Sequence, residues 1–173
     1  MGAALYKDGP PPAHTGGFGE PTCRQCHADA ELNDSGGSLL LGGLPGAYEP
    51  GRSYDVTVTL RRAGMLRAGF QLAARYAAGD RTGTQAGMLV PADRRTKVLR
   101  DTLSGVLYAE HSLVGTTVTA GGDSARWVLR WTAPGTSHGP VVLHVAANAA
   151  NDDDSPFGDF IYARAVQVPL RRR

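Results

Sequence analysis

A chain of 173 residues, 42% of them apolar and with a formal charge of only +2, is long enough to bury a core in one domain. No run is long and apolar enough to cross a bilayer as a helix. Lys7 and Lys97 are the only lysines and the arginines are scattered, which excludes a basic nucleic-acid-binding stripe; Arg171-Arg172-Arg173 reads as a solvated end.

Residues 1–37 form an arm ahead of the main body. Met1-Gly2-Ala3-Ala4-Leu5 has no charged segment followed by an apolar one, so the chain is expected to start at or near a mature end. Residues 6–20 carry Pro10-Pro11-Pro12 and then His14-Thr15-Gly16-Gly17-Phe18-Gly19. Proline fixes an extended backbone and glycine permits tight turns, which predicts an arm or loop lying on the domain.

The arm leads into Pro21-Thr22-Cys23-Arg24-Gln25-Cys26-His27, with both of the chain's cysteines. Two thiols three positions apart with a histidine directly after the second is the arrangement that attaches a c-type haem. Each thiol can add to one vinyl group of the porphyrin, and His27 is then carried under the iron as an axial ligand. Three plainer readings compete. A structural zinc site needs four N or S ligands, and here would have to recruit distant histidines such as His14, His111 or His144. A thioredoxin-like redox pair belongs beside a strand-helix-strand unit, which these Gly- and Pro-rich surroundings lack. A disulfide across so short a loop would constrain the unfolded chain little.

Residues 28–37 are polar and turn-like, and from 38 to 173 short β runs alternate with turns. Tyr54, Val56, Val58 and Leu60 alternate with Asp55, Thr57 and Thr59, a half-buried strand of period two. Further strands are expected at 38–41, 69–76, 87–90, 96–99, 115–119, 127–131, 141–147 and 160–169. Trp127, Leu129 and Trp131 share one face, which predicts core. Short strands without a convincing helix imply an all-β, immunoglobulin-like sandwich of two antiparallel sheets. A sandwich fills its own interior, so a porphyrin must sit at an edge or end, covered by the arm and by loops.

The second iron position falls to His111 first, His14 second, or is left to water or a small ligand. His138 lies in a loop read as an exposed hairpin turn. His144 falls inside an apolar strand, where a histidine with one satisfied hydrogen bond is commoner than a ligand. Met65 and Met88 suit gap-filling, and a ligand from another molecule would imply a homo-oligomer. The stretch Asn148-Ala149-Ala150-Asn151-Asp152-Asp153-Asp154-Ser155-Pro156-Phe157-Gly158-Asp159 is oxygen-rich enough to consider calcium. Its spacing is not that of the helix-loop-helix site, and Asn and Asp capping their own turns is the simpler reading. No histidine has a Ser or Cys partner in a recognisable nucleophile elbow, which leaves hydrolysis unsupported.

Residues 11–27 together with Tyr48-Glu49-Pro50-Gly51, Gly69-Phe70-Gln71-Leu72, Tyr108 with His111, Trp131-Thr132-Ala133-Pro134 and the 148–159 stretch resemble bacterial exported proteins with a reeler-like domain of the "choice-of-anchor" type. The resemblance covers nearly the whole chain. It implies a reeler-like sandwich preceded by a CxxCH segment, an envelope or surface location, and a histidine at position 111 that favours His111 as the distal ligand. The function expected is a monohaem c-type cytochrome domain for extracytoplasmic electron transfer with a redox partner protein: periplasmic, cell-surface or secreted. The alternatives are an adhesion or ligand-binding sandwich whose haem or zinc is structural, and a haem sensor or peroxidase with an open iron site.

Overall fold

A computed structural model describes residues 6–119 and 121–172; the expectation about the first five residues lies outside them. Nine strands follow the arm: β1 (Gly37–Gly42), β2 (Ser53–Arg62), β3 (Arg67–Tyr76), β4 (Met88–Pro91), β5 (Thr96–Arg100), β6 (Leu107–His111), β7 (Ser124–Thr132), β8 (Val141–Ala150) and β9 (Phe160–Val168). They pair antiparallel into a four-stranded sheet, β1-β2-β7-β4, and a five-stranded sheet, β5-β6-β3-β8-β9. The all-β antiparallel sandwich is thus the observed fold.

The two sheets differ in how they are buried, and that difference positions the site. In β2 and β7, Val56, Val58, Leu60, Trp127, Leu129 and Trp131 point into the core while alternate residues face out. Each large side chain so buried stabilises by roughly 1.5–3 kcal/mol. Trp127 and Trp131 are core, and their indole N–H groups donate to the carbonyls of Gly115 and Ala86 at 2.8 and 3.0 Å, so neither leaves a buried donor unpaired.

By contrast, every residue of β3 after Arg67 and every residue of β6 is buried. One face of these strands meets the core; the other is roofed by the arm. The arm crosses the five-stranded sheet, touching it through Gln71, Arg75, Glu110 and His144, and ends beside β9, where the Asn33 N–H donates to the Ile161 carbonyl. Ala13 packs on Ala73, Val106 and Tyr108 in a small second apolar cluster. The prediction that residues 6–20 lie on the domain is met.

Four local expectations need correction. Residues 115–119 are no strand: Leu113–Thr116 forms a short 3₁₀ helix capped by the Ser112 hydroxyl, and a Cβ on Gly115 would stand 2.1 Å from the Arg95 carbonyl oxygen. Strand β6 went unassigned because its two buried faces erase the period-two signal. His138 is exposed, but its loop crosses from β7 in one sheet to β8 in the other and closes no hairpin. Met65 is buried in the core as expected, whereas Met88 is half exposed on edge strand β4 and fills no gap.

Candidate functional site

The arm does more than cover a sheet: where it passes the end of β3 and β8 it encloses a cleft. Its cavity measures about 160 Å³ and continues outward into an open mouth. Its floor is Ala68, Gly69 and Phe70 of β3 with Ala150 of β8, and Pro10 and Pro11 wall one side.

Cys23, Cys26 and His27 all line this cleft. Thr22 starts a 3₁₀ turn, its hydroxyl accepting from the Arg24 N–H at 3.2 Å, and the Cys26 and His27 N–H groups close on the Cys23 carbonyl at 3.2 and 3.1 Å. In a 3₁₀ turn side chains three apart eclipse, which sets the two thiols on one side. Burial pushes the Cys23 thiol up to about 12, its own backbone pulling the other way and the neighbouring Cys26 adding a smaller push upward. A neutral thiol of this kind is the opposite of the depressed thiolate that disulfide exchange requires, which counts against a thioredoxin-like role.

His27 is held by an unexpected partner. Its Nδ1 lies 2.7 Å from Oδ2 of Asp159, a side chain only 2% exposed. An ionised carboxylate can only accept, so in the neutral ring Nδ1 carries the proton and Nε2 keeps its lone pair. Asn148 Nδ2 and the Asn151 N–H donate to the same carboxylate at 3.1 Å each. Asn148 Oδ1, buried at the cleft, has no hydrogen-bond partner.

His111 reaches the same cleft from the end of β6. Its Nδ1 stands 3.0 Å from the Phe70 nitrogen and 3.2 Å from the Phe70 oxygen, where the β3–β6 pairing stops: one neutral tautomer accepts the Phe70 N–H there, and the other donates to the Phe70 carbonyl and leaves Nε2 its lone pair. A Cβ on Gly69 would come within 2.5 Å of the His111 ring, so glycine is what lets the imidazole lie there. Burial lowers the pKa of His111 below the ordinary histidine value, with the Phe70 and Tyr6 backbone groups pulling the other way. It is therefore neutral at pH 7, the form that binds metals. Next to it, burial pushes the Glu110 carboxyl up to about 7 against the pull of Gln71 and Lys97.

His14 also lines the cleft, but both its ring nitrogens are engaged: Nδ1 lies 3.0 and 3.1 Å from the Pro11 and Pro12 carbonyls, and Nε2 lies 2.7 Å from Gln25 Oε1. His144 sits elsewhere, half-buried under Gly17 and Phe18. His138, Met65 and Met88 are likewise absent from the cleft lining. Cys23, Cys26, His27 and His14 of the arm and His111 of β6 thus line one cleft, without three of them converging on a single point.

The acidic stretch closes one flank of the cleft with its side chains turned to local work. Asn151 and Asp153 cap each other's turn, Ser155 N–H donates to Asp153 at 2.9 Å, Asp152 pairs with Arg67, and Asp154 meets Lys7 Nζ at 2.7 Å. Among the described residues no three His, Cys, Asp or Glu side chains converge as zinc or calcium would require. Asp159 was read from the sequence only as part of this oxygen-rich run. No sequence signal connected it to His27.

No protein-family model matches the sequence, and no curated protein matches it. Solved structures do. The human F-spondin reeler domain is 20% identical over 82% of this chain and 95% of its own, with a TM-score of 0.53. The Reelin-N domain of F-spondin is 22% identical over 86% and 97%, at 0.55. A cohesin module from the family 33 glycoside hydrolase of Clostridium perfringens is 11% identical over 79% and 98%, at 0.50. At these identities the likeness is one of fold: an antiparallel sandwich of reeler type.

Proposed function

We propose that the chain is an extracytoplasmic β-sandwich module that carries one covalent haem c in the end cleft and exchanges electrons with a partner protein. Cys23 and Cys26 would supply the thioether sulfurs, His27 the proximal ligand and His111 the distal one, with His14 the other candidate. The observation that carries this reading is that the haem-attachment motif packs onto an apolar-floored cleft which also receives a neutral, buried histidine from a distant strand. The donor set fits the group: two thiols on one side of a turn, and an imidazole whose Nε2 is left free by a carboxylate on Nδ1. Haem, when bound there, supplies the one-electron chemistry of its iron. The chain's own residues orient His27, exclude water with Phe70, Pro10 and Pro11, and offer a second imidazole.

The fold favours a second reading. Reeler and cohesin modules share this architecture, which suits an adhesion or ligand-binding sandwich whose haem only ties the arm to the sheet. The likeness to these modules also agrees with a place outside the cytoplasm. One experiment separates the readings. The chain is exported from a cytochrome-maturing host, denatured and extracted with acid-acetone, and its reduced-minus-oxidised spectrum is recorded before extraction. Haem retained by the chain and low-spin bis-histidine bands are the expected result. A high-spin ferric band moves the sensor or peroxidase reading ahead, and an exported chain without haem leaves the binding module.

A further inference from the structure

The pairing of His27 with Asp159 is built into the fold rather than laid on its surface. The carboxylate is buried and sits directly before β9 rather than on the tip of the acidic loop. Two neutral donors, Asn148 Nδ2 and the Asn151 N–H, aim it. Among the described residues no lysine or arginine pairs with it, whereas Asp152 and Asp154 of the same stretch are paired with Arg67 and Lys7. Its negative charge therefore acts chiefly through the His27 ring.

We propose, on the haem reading above, that Asp159 is a positioning residue that makes His27 an electron-rich ligand and so sets the cofactor to a low reduction potential. A carboxylate drawing on the Nδ1 proton leaves more electron density on Nε2. A more basic ligand stabilises ferric over ferrous iron, and hydrogen bonding around the ligand is one of the few levers a protein has on that balance. The low dielectric of the site strengthens the effect, because little water competes for the charge. The module would then take its electron from a strongly reducing donor and pass it on readily.

The test is a redox titration of exported holoprotein, wild type against Asp159→Asn. The variant keeps shape and an acceptor oxygen but removes the charge. It is expected to retain covalent haem and to shift the ferric/ferrous equilibrium at least tenfold toward ferrous, a positive displacement of 59 mV for one electron. Asn148→Ala, which frees Oδ2 from a competing donor, is expected to move the midpoint the opposite way. A tether without electronic influence would change stability and leave both midpoints unmoved. An unmoved midpoint in Asp159→Asn that still carries haem overturns the inference while leaving the haem reading intact. If Asp159→Asn does not accumulate, Asn148→Ala decides: a negative shift supports the inference and no shift overturns it. Wild-type protein without covalent haem removes the reading on which the inference rests.

Discussion

Neutralising Glu20 should undock the arm, and the size of the loss can be worked from its contacts. Arg75 Nη1 lies 2.7 Å from Glu20 Oε1, with the two side chains 5% and 10% exposed. The Tyr108 hydroxyl donates to the same carboxylate at 2.5 Å, the Thr15 hydroxyl at 2.5 Å, and the Arg75 guanidinium sits 4.8 Å from the Phe18 ring centre. Glu20→Gln leaves the Arg75 charge buried and uncompensated, which costs about 3–5 kcal/mol. For a chain of this length that is a fall in Tm of about 6–20 °C. Urea denaturation at pH 7 reads the loss as a lower midpoint at unchanged slope. Burial by itself would raise the Glu20 carboxyl, but hydrogen bonds from Arg75, Thr15 and Tyr108 outweigh it and the net shift is downward. Stability from Glu20 is then present above the unfolded carboxylate value of about 4.3 and is lost as pH falls through the lower folded value. The gap between wild type and Glu20→Gln should close in acid. Replacing both partners, Glu20→Leu with Arg75→Met, should restore only part of the loss: the apolar pair carries no desolvation cost, but the Tyr108 and Thr15 hydroxyls lose their acceptor. A midpoint change worth less than about 1 kcal/mol at pH 7 would refute the reasoning, since a surface pair contributes no more than that.

Two further outcomes test the cleft. His111→Ala in the holoprotein should convert low-spin to high-spin or water-ligated iron in the visible spectrum with covalent haem retained; if His14→Ala does this instead, the arm is a lid over the iron. Gly69→Ala should cost about 1–3 kcal/mol of stability, the usual cost of overpacking, read as a lower urea midpoint, because its Cβ meets the His111 ring at 2.5 Å; an unchanged midpoint would show that the ring has room to move.

How much of this was legible in the sequence depended on which faces meet water. Strand β2 declared itself because Asp55, Thr57 and Thr59 are solvent-facing between buried Val56, Val58 and Leu60. Strand β6 did not, since the arm dries the face that Tyr108 and Glu110 present and so removes the polar alternation a reader needs. Gly115 looked like a strand start, yet it is glycine because the Arg95 carbonyl lies against it. The attachment motif was readable because the chemistry requires its three residues to be neighbours in sequence. Asp159 was not, because a hydrogen bond to His27 Nδ1 needs only proximity in space, and no spacing rule connects the two positions.

The cleft belongs to the arm as much as to the sandwich, and this gives the buried pair its meaning. The five-stranded sheet supplies a floor, His111 and Asn148; the Cys23 turn, His27, His14 and the proline wall all come from residues ahead of β1. Those residues form no strand, so the ladder hydrogen bonds that hold β2 to β7 are not available to them. What holds them is a line of side-chain anchors across the sheet: Gln71 to Pro11 and His14, Arg75 to Glu20 and Thr15, Asp159 to His27, and Asn33 to β9. Two of these anchors place a charged side chain in a nearly dry setting, where an ion left alone is costly and a satisfied one is strongly directional. A cofactor attached to such an arm would be located by those anchors, and loosening either one should be felt at both ends of the cleft.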